Sequence, residues 1–255
     1  MSVAPTLGPE LIVTLVVLLA IAVAVARIGR LPVGTSLVTA AVRAAIQLAV
    51  VALVIAAVLD HVWSALLLTA AMFSVATLTA AGRVAARRNA GWIAVALAAG
   101  VVPVLLVIFG LRATEFTGPA IVPIAGIIIG GSMTAHTLMA RRAFDALRAD
   151  HGQIEAALAL GMDRTDAISL VISRRSSEAL HPALDQTRTV GLVTLPGAFV
   201  GVLLGGGSAG DAAAAQLLVL IGLLAAQTSV VEASRRLIAR GRILPADVRG
   251  ALPVR

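Results

Sequence analysis

Apolar runs close to 20 residues long recur along this chain, and a run of that length is what a helix needs to cross a hydrocarbon layer of about 30 Å. Seven can be marked, at 10–26, 37–59, 62–81, 91–111, 119–139, 189–206 and 212–231. Backbone N–H and C=O groups inside lipid find no water, so each run must satisfy them internally as a helix. A β-barrel would show short segments of alternating polarity, which these unbroken runs do not. The expected fold class is therefore all-α, a polytopic transmembrane helical bundle of about seven spans. Composition agrees, since 59% of the 255 residues are hydrophobic and only 13% charged, whereas a soluble domain carries about 25% charged residues.

All 20 basic residues are arginine. With the N-terminus outside and the C-terminus inside, all but two of them fall on inner segments; the exceptions are Arg112 in an outer loop and Arg43 near the inner end of the second run. Retention of basic residues on the cytosolic side is the usual topological signal, so this orientation is the expected one. It also accounts for the net charge of +7 without a nucleic-acid partner; membrane lipids are the surroundings. Cysteine is absent, which removes disulfides, thiolate ligands and cysteine nucleophiles. No basic residue precedes the first run, which carries Glu10 instead, so it does not read as a cleavable signal. That run is the shortest, and a peripheral helix is its alternative reading. Trp63 and Trp92 open two runs, as interfacial anchors do. The whole of 1–255 reads as one membrane domain with a cytosolic polar region at 140–188 and a cytosolic tail at 232–255.

The polar region is where this chain departs from a plain bundle. Its seven arginines are matched by seven carboxylates, and its pattern predicts amphipathic helices. One extends the fifth run inward, interrupted near Gly152 and ended near Gly161; a second covers 165–178; Pro182 opens a third at its first turn. Glu155, Ala156, Ala157 and Gly161 stand together in this region. Small residues permit close approach by another surface, and a glycine ends or bends a helix. The interval 153–191 thus reads as a docking platform. Glu178, His181 and Asp185 have ligand chemistry at helical spacing, but salt bridges to Arg174 and Arg188 are the ordinary reading.

Polar and helix-breaking residues mark several spans. Arg43 and Gln47 share a face of the second run, and together with Asp185 and Arg188 they make a candidate inner-face polar network, snorkelling of Arg43 being the simpler account. In the fifth run Gly126 and Gly130 form a GxxxG pair beside Gly131. Pro123 precedes them, so helix bending or a translocation path is the functional reading and packing the ordinary one. Met133, Thr134, His136 and Thr137 offer ion-ligand chemistry only if they converge, and helical neighbours do not all face one way. Pro196 and Gly197 should interrupt the sixth run, Gly201 and Gly205 form a second GxxxG pair, and 205–207 should break the helix. Interrupted helices are where transporters expose backbone groups to a path. Gln216 and Gln227 lie in the seventh run.

Motifs of self-contained catalysis are missing. There is no GxxxxGK[ST] loop, HExxH, DFG, GxGxxG at a strand–helix junction or GxSxG, and no convincing intramembrane protease pair. No filter motif supports a selective channel.

Three segments, VPIAGIIIGGSM at 122–133, EAALALG at 155–161 and HPALDQTRTVGLVTLPGAFVGVLLGG at 181–206, carry a resemblance that covers nearly the full chain. The chain resembles the ABC-transporter permeases that include the bacterial iron-export permease and the plant aluminium-tolerance membrane subunits, formerly an uncharacterised conserved membrane-protein family. The resemblance implies a membrane-spanning subunit that is not itself an enzyme, with ATP and Mg bound by a separate ATP-binding subunit. It implies that Glu155, Ala156, Ala157 and Gly161 correspond to the ATPase-coupling motif. The importer form of that motif continues to a Leu-Pro pair, which 168–173 lacks. A permease homodimer in a bacterial plasma membrane is implied, exporting iron or another metal ion. A nucleotide sugar or other small solute is the alternative cargo, and a channel or membrane scaffold not driven by ATP the alternative function. No metal-binding residues are assigned.

Overall fold

The computed structural model describes residues 8–58 and 61–251, with side chains described for 8–55 and 61–250. Contacts divide the chain into two compact units, Met1–Asp60 and His61–Arg255. The first is a helical hairpin of α1 (Pro9–Ile28) and α2 (Gly34–Val58). At 1.5 Å per residue the 20 residues of α1 extend about 30 Å, the thickness of a hydrocarbon core, so the shortest apolar run is long enough to cross.

The second unit opens with α3 (Val62–Arg83) and α4 (Ala90–Gly110), joined through a single 3₁₀ turn at Arg87–Asn89. The long helix α5 (Gly118–Ala149) then leads into the polar region, which folds as α6 (His151–Ala159), α7 (Arg164–Ser176), a 3₁₀ turn at Ser177–Leu180 and α8 (His181–Thr189). The chain returns through α9 (Gly197–Leu204), then forms α10 (Ala209–Ala239) and α11 (Ala246–Ala251). Among the described residues six helices are long and apolar enough to cross a membrane: α1 to α5 and α10. The protein is a multi-pass, all-helical membrane protein.

The sixth predicted run is not a continuous helix. Its first residue ends α8, 190–196 form an ordered turn, and the eight residues of α9 extend only about 12 Å. In the turn Gly191 has φ +81°, a region that only glycine adopts without penalty, and its N–H donates to the Thr194 carbonyl at 2.9 Å. The interruption takes in 190–196, the first part of the run, and stops at Pro196, with Gly197 already helical; it lies earlier than the mid-run break that Pro196 and Gly197 predict, while α9 ends at Gly205 as the triple glycine predicts.

The direction of the neighbours shows why this broken segment still counts as a crossing. A Cβ on Gly131 of α5 would meet Leu223 and Gln227 of α10, and farther along both helices His136 meets Ser234. Helices α5 and α10 therefore run side by side in the same direction. The chain between them has to travel back, and it does so along the groove they form: Ala179 and Pro182 lie beside Thr134 and Gln227, while Gly197 and Gly201 lie beside Pro123 and Ala215. Six long helices and one broken return make about seven crossings.

Two apolar cores hold the second unit. The smaller packs Val101, Ala125, Ile128, Val219 and Ala226 between α4, α5 and α10. Gly100 makes this packing possible, because its Cα lies against the Ala226 carbonyl, the close approach that small residues permit between membrane helices. The larger core is built at the arginine-rich end, where Leu97, Met139, Phe144, Leu147, Ile172 and Ile238 are essentially inaccessible. The tail joins it through Ile243, Leu244 and Val248. Helix α10 extends to Ala239, beyond the expected end at Glu232, and its N-terminus is fixed by a reciprocal cap. The Ser208 hydroxyl accepts from the Asp211 N–H at 3.1 Å and the Asp211 carboxylate accepts from the Ser208 N–H at 3.1 Å.

Candidate functional site

The polar region divides into a buried side and a presented side. Ile154 and Ala157 of α6 and Ala167, Ile168, Val171 and Ile172 of α7 enter the larger core, against the ends of α5 and α10. Glu155, Ala156, Leu160, Gly161 and Met162 remain exposed, Leu160 at 86%. Of the four coupling residues implied by resemblance, Ala157 therefore faces inward, while Glu155, Ala156 and Gly161 lie on the accessible side. Helix α6 starts one residue earlier than the predicted interruption at Gly152, at the Asp150 junction.

The end of α6 explains the glycine. With Leu160 as the cap, the Gly161 N–H donates to the Leu158 carbonyl at 3.0 Å and the Met162 N–H to the Ala157 carbonyl at 3.1 Å. These are the two bonds of a Schellman motif, which requires a left-handed residue where Gly161 has φ +88°. Two residues on, Asp163 caps α7 by accepting from the Asp166 N–H at 2.9 Å. The turn is therefore a defined projection that carries Leu160 and Met162 outward.

Polar contacts tie the platform to the bundle. Arg175 pairs with Asp150 at 3.2 Å, and Arg235 of α10 donates to Ser169 of α7 at 3.5 Å. Glu178 pairs with Arg142 at 3.1 Å, and not with Arg174 as its spacing predicts, because α5 extends far enough to place Arg142 beside the 3₁₀ turn. Such half-exposed pairs contribute about 0–1 kcal/mol each, so the shared apolar core is the stronger link. Asp185 does pair with Arg188, at 3.5 Å. Arg43 and Gln47 share a face of α2. These two pairs belong to different units. Among the described residues no group of three or more His, Cys, Asp or Glu is placed to hold a metal ion.

The tail is fastened over the same end. Arg242 lies 5.0 Å above the Trp92 ring, its carbonyl accepts from the Asn89 side chain at 2.7 Å, and Asp247 pairs with Arg148 at 2.7 Å. Hydrogen bonding to Arg148 holds the Asp247 carboxyl below its ordinary value. Trp92 is therefore engaged by the tail as well as standing at a helix start. The apolar pattern of Ile243, Leu244 and Val248 was the sequence signal for this attachment.

Pro119, Pro123, Gly130 and Gly131 of the fifth run and Gly197 and Gly201 of the sixth line the groove between α5, α9 and α10. Helix α5 continues through Pro123 without interruption. Of the first GxxxG pair, Gly126 meets only the tip of Met72 and Gly130 has open space where a Cβ would be; the close helix contact is at Gly131. Gly201 likewise faces open space, and Gly205 meets only its own backbone. Spacing predicts contact at both pairs; Gly126 does take a close neighbour, the Met72 side chain of α3, while Gly130 and Gly201 have none. A cavity of about 900 Å³ is lined by Pro123, Gly197 and Gly201 among others, and a smaller one of about 320 Å³, toward the arginine-rich end, by Gly130, Gly131 and Gln227 among others.

Met133, Thr134, His136 and Thr137 do not converge as an ion site. Thr134 and Thr137 donate to the carbonyls of Gly130 and Met133, and His136 is fully buried with its Nδ1 2.7 Å from the Ser234 hydroxyl. Gln216 has a role that sequence alone does not disclose: its side-chain oxygen accepts from the Phe199 N–H at 3.3 Å, holding the first turn of α9 against α10.

Similarity to other proteins is consistent with this architecture. The chain is 34% identical over 135 residues to the UPF0014 membrane protein STAR2 of Oryza sativa subsp. japonica, covering 53% of this chain and 47% of that protein. It is 32% identical over 158 residues to the Protein ALUMINUM SENSITIVE 3 of Arabidopsis thaliana, covering 62% and 58%. It is 33% identical over 115 residues to the Probable iron export permease protein FetB of Escherichia coli (strain K12), covering 45% and 44%. The chain spans about half the length of the curated relatives it matches. No solved structure matches it. The pattern of one family covers residues 10–240, the bundle, the platform and the groove together, and the chain belongs to that family, described as Uncharacterised protein family (UPF0014).

Proposed function

We propose that this chain is the membrane-spanning permease subunit of an ATP-driven ABC transporter in a bacterial plasma membrane, and that it exports iron or another metal ion. The observation that carries this reading is the α6–α7 turn, which is exposed on one side and built into the α5 and α10 core on the other. A separate ATP-binding subunit gripping Glu155, Ala156, Leu160 and Gly161 would move the platform, and the shared core would pass that movement to the two long helices that border the groove. The reading places the N-terminus outside and the C-terminus inside, so that the platform meets cytosolic ATP. ATP and Mg belong to the partner, and two copies of the chain would supply the membrane part of the assembly. The name of FetB supports iron as cargo, through a relative of which the chain covers 44%.

Reconstitution into sealed vesicles with the ATP-binding subunit tests this. ATP-dependent movement of iron, lost when the partner's ATPase is inactivated, is the expected result. Iron flux equal with and without ATP hydrolysis would make the chain a channel and overturn the proposal. The alternative cargo, a nucleotide sugar, is tested by loading the same vesicles with it.

A further inference from the structure

The outer cavity and the inner groove lie end to end along the same three elements. Ile127 lines both. From Pro119 at the outer limit to Leu138 at the inner one, α5 rises about 28 Å at 1.5 Å per residue, which matches the roughly 30 Å of a hydrocarbon core. The two spaces together therefore match a membrane crossing in length, and Ile127 is the residue their linings share. Resting on the permease reading, we propose that they are the outer and inner chambers of one cargo path bounded by α5, the broken α8–α9 segment and α10, with Ile127 as its constriction.

Three further observations support a path for a solute over a seam for packing. Gly130, Gly197 and Gly201 have open space where a Cβ would stand, so at these three positions glycine leaves room, whereas Gly131 alone of the lining glycines serves close contact with α10. Gln186 and Gln227 both face the inner chamber, and neither side chain has a hydrogen-bond partner among the described residues. Gln227 lies in the membrane-spanning helix α10, where an amide that lacks a partner is costly unless water or cargo reaches it. The return segment is broken at 190–196, between the residues that line the inner chamber and those that line the outer one, and interrupted helices are a recurrent device for lining a path. The side-chain heteroatoms that line the chambers, on Thr114, Asp211, Thr134, Gln186 and Gln227, are hydroxyl, carboxylate and amide groups. They suit a cargo that presents water or oxygen, such as a hydrated hard cation or a hydroxylated solute.

The chain has no cysteine, so single-cysteine variants are uniquely reactive. Ala215→Cys in the outer chamber, Thr134→Cys in the inner chamber and Leu217→Cys, an exposed neighbour outside both, are reconstituted in sealed vesicles. Each is treated with a membrane-impermeant charged maleimide from one side or the other. Ala215→Cys is expected to label from one side and Thr134→Cys from the opposite side, with Leu217→Cys unreactive. Ile127→Trp should keep inner and outer labelling while abolishing ATP-driven flux, and Ile127→Ala should permit passive leak; iron and nucleotide-sugar arms separate the two kinds of cargo. Labelling of Ala215→Cys and Thr134→Cys no faster than Leu217→Cys, or from the same side, overturns the path. Undiminished flux through Ile127→Trp overturns the constriction. Labelling requires neither ATP nor the partner, so a failure of the ATP-driven reading leaves this result independent.

Discussion

Gly161 is the position where a single methyl group tests the coupling platform without touching its core. A Cβ there would meet no atom within 4 Å, so substitution causes no collision. The whole cost lies in φ +88°, a left-handed conformation that disfavours a residue with a Cβ by about 1–2 kcal/mol. That penalty corresponds to a factor of about 5–30 in a local equilibrium, and it falls on α6, a helix of nine residues that is held mainly by Ile154 and Ala157. Gly161→Ala should therefore open the Schellman turn and displace Leu160 and Met162 while leaving the membrane helices folded. Binding of the ATP-binding subunit and ATP-driven transport are expected to fall together by about that factor, with thermal unfolding of the bundle unchanged. Gly161→Asn should recover part of the loss, because asparagine tolerates this conformation better. Full association and transport in Gly161→Ala, or an asparagine variant no better than alanine, would refute the argument that the turn's backbone shape is what the partner reads.

Three other outcomes follow from the packing. Gly100→Ala places a methyl against the Ala226 carbonyl and 2.6 Å from Val230 Cγ2, and should cost about 1–3 kcal/mol of stability by overpacking, read as a lower thermal midpoint in detergent; Gly130→Ala, in open space, should leave it unchanged. Ser234→Ala removes the partner of buried His136 and should cost about 1–3 kcal/mol, while a double-mutant cycle with His136→Ala should show less than additive loss. Asp247→Asn should weaken the tail attachment at neutral pH. Because Arg148 lowers the carboxyl's folded value, the contribution is present above its unfolded value and lost as pH falls through the carboxylate range, so the difference in thermal midpoint between parent and variant should close in acid.

Sequence alone determined the solvent and, with it, the class of fold. Apolar runs near 20 residues force helices because lipid supplies no hydrogen-bond partners, and this held without regard to what packs against what. Local chemistry determined the stops as well: Gly161 ends α6, Pro182 opens α8 within its first turn, and Pro196 caps α9, which begins at Gly197. These are short-range effects of dihedral preference, visible in any one residue.

Contacts between distant segments were not legible in this way. Spacing predicted helix contact at Gly126 and Gly130, but a glycine becomes a contact only when a neighbour approaches it: Met72 approaches Gly126, nothing approaches Gly130, and the backbone or side chains of α10 approach Gly100 and Gly131. Ala157 could not be separated from Glu155 and Ala156 until α7 packed on α6 and fixed which face of it is buried. The identity of the pair Arg142–Glu178 depended on α5 continuing beyond the membrane run. Above all, the co-directional packing of α5 and α10 made the broken α8–α9 segment their necessary return and opened a groove along it. Hydropathy is a property of each run taken singly, whereas direction, register and the space between runs exist only once the helices are placed together.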